Sequence, residues 1–173
     1  MLRSCYQVSR QSELRGNMEQ KQQAENAARV RKIIEKVTVF KRMTMWDADA
    51  ILKVCEFKTY QKGELIYQVG RASVEMLILL QGGLTATADS GAMLGRIAPG
   101  TTTGEMGLLT DSPRSANVVA TEKSAGFVLK KIDLDKLFER NERLKMQVYE
   151  NLVSLLCSRL AQANVTIESR VNR

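Results

Sequence analysis

Residues 75–100 read EMLILLQGGLTATADSGAMLGRIAPG, a set of short β-prone runs cut by Gly. The same texture spreads outward from Phe57 to Lys131, through ELIYQVG (64–70) and SANVVATEKSAGFVLKK (115–131), and most of the chain's eleven Gly fall inside it. Short strands with turn signals at this density predict a closed antiparallel barrel or a sandwich. No G-x-G-x-x-G follows a strand and opens a helix, and no P-loop is present, so a parallel α/β nucleotide fold is unsupported.

Helical patterns flank this β region. Residues 18–40, MEQKQQAENAARVRKIIEKVTVF, lack Gly and Pro, and Val30, Ile33, Ile34, Val37 and Phe40 recur at 3- and 4-residue spacings. Thr44 followed by Asp47 predicts a capped helix start, with Ala48, Ile51, Leu52 and Cys55 on its apolar face. Asp133 predicts the cap of a short helix through Phe138. A long helix is expected over residues 141–165. It carries one apolar face at Leu144, Val148, Leu152 and Leu155, and a seam at Met146, Tyr149, Val153, Leu156 and Leu160. One face can cover the β body; the other makes a homodimer an expectation.

The 173 residues suit one domain with decoration. The expected division is a basic helical or partly disordered arm at 1–29 and a single domain over 30–173. Net charge is +7, and residues 1–42 hold ten Lys and Arg against four acids, so the arm carries most of it. Interspersed Glu and the lack of accompanying aromatics read as a solvated helix rather than a nucleic-acid contact. There is no His, which excludes His metal sites, Ser-His-Asp and Cys-His catalysis and imidazole acid–base chemistry. Neither a metal site nor an enzyme is therefore expected. Cys5, Cys55 and Cys157 form no C-x-x-C and read as free thiols of a cytoplasmic protein. No run approaches a membrane span or a secretory signal, and Met18, just before a helical run, stands as an alternative translation start.

Chemistry concentrates in TGEMGLLTDSPRSANVV, residues 103–119, where Glu105 and Arg114 sit among small and apolar residues. They are too far apart for a helix i,i+4 pair. Arg presents a planar fork of donors that matches phosphate oxygens. The N-terminus of a short helix at Gly104–Glu105 offers inward N–H groups. Gly104 permits close backbone approach, Gly107 leaves room, and Ser115 adds a hydroxyl donor. An ionised Glu105 is acceptor-only and suits ribose hydroxyls. A sugar-phosphate ligand fits this set, and so does an internal Glu105–Arg114 pair that stitches the loop.

The stretch GEMGLLTDSPRSANVVA resembles the phosphate-binding cassette of the cyclic nucleotide-binding domain family, through Gly104, Glu105, Gly107, Leu108, Leu109, Pro113, Arg114 and Ala116. Upstream, YQKGELIYQVG and MLILLQGGLTA resemble that family's first turn and hairpin, and the likeness covers about residues 37–160. The resemblance implies a mainly β fold with α elements: an eight-stranded antiparallel β-roll, jelly-roll-like, flanked by N-terminal helices and a long C-terminal helix. It implies cAMP or cGMP as ligand and no catalytic cofactor. The ligand-binding residues would be Gly104, Glu105, Met106, Gly107, Arg114, Ser115 and Ala116. Arg114 and Ser115 would take the cyclic phosphate, and Glu105 with the Gly104 backbone the ribose 2′-hydroxyl. The C-terminal helix would close over the purine and signal to an effector protein; Asn151, Ser154, Ser158 and Arg159 are candidates for the cap. Ser115 resembles cAMP-responsive bacterial regulators, which favours cAMP. Thr103 and Leu77 depart from the family's usual aromatics.

Three alternatives remain. The same fold could take a cyclic dinucleotide or serve only protein contacts. A DNA-binding regulator would need several tens of residues after the long helix, and only about ten follow Gln162, so DNA is not the expected partner. A cupin-like enzyme is set aside for want of His.

Overall fold

A computed structural model describes Lys32 and residues 35–171. The expected arm at 1–29, and Val30, Ile33 and Ile34, lie outside the described residues. Eight strands follow in chain order: β1 (Glu56–Tyr60), β2 (Leu65–Tyr67), β3 (Glu75–Gln81), β4 (Leu84–Thr87), β5 (Met93–Ile97), β6 (Thr102–Thr103), β7 (Asn117–Ala120) and β8 (Ser124–Lys130). They form two four-stranded sheets, β1-β8-β3-β6 and β2-β7-β4-β5. Every pairing is antiparallel. The fold is thus the β-roll that the sequence led us to expect, and from Met45 onward it carries the helices α1 (Met45–Lys53), α2 (Glu105–Thr110), α3 (Lys131–Arg140) and α4 (Glu142–Val171).

The unbroken apolar run MLILL has a physical cause. Strand side chains alternate between faces, and β3 is covered on both. Leu77 and Leu79 point between the sheets with Tyr67, Leu84, Val118 and Val128. Met76 and Ile78 point the other way, against Phe40, Ile51, Phe138, Val148 and Leu152 from the helical segments. Full burial of each such side chain stabilises by about 1.5–3 kcal/mol. Two cores therefore share one strand: one inside the roll, and one fixing the helices to its outside.

The Thr44 cap forms as expected. Its hydroxyl oxygen accepts from the Asp47 N–H at 3.2 Å, and the hydroxyl donates to the Asp47 carboxylate at 2.6 Å. Arg143 of α4 donates to both carboxylate oxygens of Asp47 at 2.7 Å, which ties α1 to α4. Burial of Asp47 opposes its ionisation, but the Thr44 and Arg143 hydrogen bonds and the Arg143 charge outweigh it. The pKa lies below its ordinary value of 3.8. A depressed carboxylate contributes stability that is fully present above the unfolded-state pKa and lost as pH falls through the folded value. We therefore expect the stability difference between wild type and Asp47→Asn to be constant above about pH 4.5 and to shrink as pH falls below that. Urea unfolding across pH 2.5–7 measures it, and a difference that grows on acidification would refute the pairing.

Three helical expectations are corrected. The helix expected to run through Phe40 ends before Val37, whose backbone is extended, and resumes as a single 3-10 turn at Thr38–Phe40. The cause is tertiary: the Thr38 N–H bonds the Gly100 carbonyl at 3.0 Å, docking the chain on the β5–β6 turn. Cys55 lies beyond the end of α1. Its thiol donates to the Ile51 carbonyl at 3.2 Å, and burial pushes its pKa up to about 12. Asp133 is not a cap, since α3 begins at Lys131 and Asp133 sits within its first turn.

The last helix begins at Glu142 and continues six residues past the expected Val165. Asn141 caps it, its side-chain oxygen accepting from the Leu144 N–H at 3.0 Å. Leu144, Val148, Leu152 and Leu155 are buried, while Met146, Val153 and Leu160 of the expected seam are exposed. Among the described residues no helix is long and apolar enough to cross a membrane. Cys55 and Cys157 are free thiols.

Candidate functional site

Glycine sets the geometry at the start of α2. Gly104 takes a left-handed φ of 83°, and a Cβ there would lie 2.2 Å from Arg114 Nη1 and 3.0 Å from the Glu75 carbonyl oxygen. The short α2 then sinks into the wall of the roll. Leu108 is buried, and any side chain at 107 would collide with Ser73. The helix stops at Asp111, itself left-handed, whose N–H bonds the Gly107 carbonyl at 3.1 Å.

Arg114 follows the Pro113 turn and is pinned by its backbone. Its N–H donates to the Arg71 carbonyl at 2.8 Å, and its carbonyl accepts from Gly70 at 2.9 Å. The side chain is 7% exposed. Its guanidinium carbon lies 3.5 Å over the centre of the Tyr67 ring, and Nη1 donates to the Gly104 carbonyl at 3.2 Å. Among the described residues no carboxylate lies within 4.0 Å of it. A buried guanidinium bonded to one carbonyl keeps further N–H donors that an anion could use.

Glu105 is 3% exposed and does not pair with Arg114. Its carboxylate accepts from Arg159 Nη1 at 2.5 Å and from the Thr102 hydroxyl at 3.3 Å. Arg159 Nη2 also donates to the Thr102 carbonyl at 2.5 Å. The loop-stitching Glu105–Arg114 pair is therefore absent. The acid instead bonds α4 to the wall of the roll, across 54 residues of sequence.

All seven expected residues, Gly104, Glu105, Met106, Gly107, Arg114, Ser115 and Ala116, line a single cavity of about 1410 Å³ between the roll and α4. Ser115 is exposed, and its hydroxyl contacts the Met106 sulfur at 3.5 Å. Ser154, Ser158 and Arg159 line the α4 side. Asn151 reaches the same wall but is committed elsewhere: its amide nitrogen donates to the Val39 and Lys41 carbonyls at 2.8 and 2.7 Å. It clamps the 3-10 turn to α4, and its expected place among the purine-capping candidates is withdrawn. The sequence reading missed Tyr67 and the Arg159–Glu105 bond. Neither had a local signal: a register shift between Leu65 and Tyr67 breaks the alternation of β2, and the bond spans 54 residues. No group of three or more potential metal ligands occurs among the described residues.

The sequence of residues 57–141 matches the cyclic nucleotide-binding domain family. That segment of the chain belongs to this family. Glutaminase 1 of Bradyrhizobium diazoefficiens is 30% identical over 115 residues, 66% of this chain. The chain spans only 19% of the length of that relative. Among solved structures, a cyclic nucleotide-binding domain from Methylobacillus flagellatus KT superposes with a TM-score of 0.74 at 19% identity, covering 84% of each chain. The regulatory domain of Toxoplasma gondii PKA, crystallised with cAMP, gives a TM-score of 0.64 at 21% identity, covering 78% of this chain and 51% of that one. At these identities the two structures speak to the fold of the domain alone. Arg114, Glu105 and the α4 residue Arg159 all line the cavity of this domain.

Proposed function

We propose that the domain binds a cyclic nucleotide in this cavity and passes its occupancy to a partner protein through α4. The carrying observation is that buried Arg114 has no carboxylate partner among the described residues while Glu105, on the same cavity, is held by a residue of α4. Arg114 with Ser115 would take the cyclic phosphate, and Glu105 with the Gly104 backbone the ribose 2′-hydroxyl. A ligand hydroxyl on Glu105 shares the acceptor that anchors Arg159. Binding and the position of α4 are thus linked, and the ligand shifts the population toward the helix position that adds contacts to it. Ser115, which resembles the residue of cAMP-responsive bacterial regulators, supports cAMP over cGMP. Calorimetric titration with cAMP, cGMP and a cyclic dinucleotide tests the reading; no heat of binding from any of them rejects it.

A cyclic dinucleotide is the second reading, because about 1410 Å³ exceeds the roughly 300–1,000 Å³ of ordinary small-molecule sites. A domain used only for protein contacts would bind none of the three. The output partner need not be a different protein. Met146, Val153, Leu160 and Ile167 are exposed at intervals of seven along α4, the spacing of a two-helix seam, so a homodimer is part of this proposal. A cytoplasmic setting fits the free thiols.

Glu105→Gln is expected to weaken cAMP binding by about tenfold, the scale of a lost charge-assisted hydrogen bond. Removing the ribose 2′-hydroxyl should then cost less affinity in the variant than in wild type. A 2′-deoxy penalty of equal size in both proteins would remove Glu105 from that role.

A further inference from the structure

We propose, resting on the cyclic nucleotide reading, that Tyr67 is an additional ligand-site residue. Its ring orients Arg114, and its hydroxyl donates to the anionic oxygen that Arg114 pairs with. Tyr67 ends β2, lines the cavity and is 6% exposed. Among the described residues its hydroxyl is the one buried side-chain polar atom without a hydrogen-bond partner. Buried polar groups are nearly always satisfied, and an orphan calls for a cause. The buried side chains of Asp47, Thr102, Glu105, Ser124 and Asn151 all have partners.

Donor and acceptor counting gives the cause. Over the Tyr67 ring stands the Arg114 guanidinium, which cannot accept a hydrogen bond. The nearby acceptor, the Gly104 carbonyl, already receives Arg114 Nη1 at 3.2 Å and Ser73 at 3.5 Å. Burial holds the Tyr67 pKa above its ordinary value, against the lowering effect of the Arg114 cation, so at neutral pH the phenol keeps its proton and is a donor. The Tyr67 hydroxyl is thus a donor with no acceptor in hydrogen-bond range among the described residues. An acceptor-rich, compact anion corrects the imbalance, and a phosphodiester has the oxygens to do so.

The ring has its own part. A guanidinium carbon 3.5 Å from the ring centre is held by the negative face of the aromatic system. With its carbon held over Tyr67, the planar guanidinium spreads its remaining N–H groups in one plane, so an incoming oxygen is met from a fixed direction.

Calorimetry with cAMP on wild type, Tyr67→Phe and Tyr67→Leu, together with thermal unfolding of the ligand-free proteins, tests both parts. Tyr67→Phe should bind about tenfold more weakly while the free protein melts no lower than wild type, because an unsatisfied group has been removed. Tyr67→Leu should lose about a further tenfold. It should also lose the preference expected of wild type between the two phosphorothioate diastereomers of cAMP, which present sulfur at opposite exocyclic positions. A role in packing alone would leave that preference intact. Wild-type affinity in Tyr67→Phe overturns the hydroxyl contact, and an unchanged diastereomer ratio in Tyr67→Leu overturns the orienting role. Wild type that binds neither cAMP, cGMP nor a cyclic dinucleotide instead sinks the reading beneath, and this inference with it.

Discussion

Arg114→Ala is expected to weaken cyclic nucleotide binding by about 100-fold or more, with the fold retained. The size follows from what is removed: a buried, charge-assisted clamp whose loss leaves a desolvated phosphate unpaired, typically about 2–5 kcal/mol. The fold should survive because, among the described residues, Arg114 neutralises no buried carboxylate; it bonds a carbonyl and lies over an aromatic ring. Breaking an ion pair strands a partner, whereas this truncation removes a cation that was itself unpaired. Calorimetry reads the affinity and urea unfolding the stability. An affinity within threefold of wild type would remove the site assignment. A collapse in stability would make Arg114 a structural residue and leave its ligand role without support.

Gly126→Ala should give the largest loss of stability. Gly126 lies in β8, between β1 and β3, opposite Lys58 on one side and Leu79 on the other. A Cβ there would stand 2.3 Å from the Ile78 carbonyl oxygen and 2.8 Å from Leu77 Cδ1. The nearer atom is backbone in a strand buried on both faces, so it cannot swing aside as a side chain would. Overpacking of this kind costs about 3 kcal/mol, a large part of the roughly 5–15 kcal/mol that holds a domain together. The urea midpoint should fall accordingly. A loss below about 1 kcal/mol would mean that β3 and β8 separate more easily than their packing implies.

These two residues differ in how legible they were. Arg114 stood out because an isolated charge in an apolar stretch, nine residues from a lone Glu, invites a chemical reason. Gly126 looked like one more turn signal, and its actual constraint is the carbonyl of a strand nearly fifty residues earlier. Glu105 was half legible: its type and neighbours marked it as an acceptor, but its partner was not. The same holds on α4. Heptad spacing marked both apolar faces, while their contrast in burial, Leu152 enclosed and Leu160 open, depends on where the roll lies against the helix.

The sequence by itself determined the β core from its short Gly-punctuated runs, the Thr44-capped helix, the long final helix, and the clustering of Gly104, Glu105, Arg114 and Ser115 within a dozen residues. Such features are local, written in side-chain period, capping and turn chemistry. Only the tertiary structure decided that Glu105 meets Arg159, that Asn151 is spent on the Val39 and Lys41 carbonyls, and that the Tyr67 hydroxyl has no partner. The two bonded contacts depend on surfaces that pack together across 54 to 112 residues of chain. Hydrogen-bond satisfaction there is settled by what the packed surfaces bring within reach, which no local pattern records.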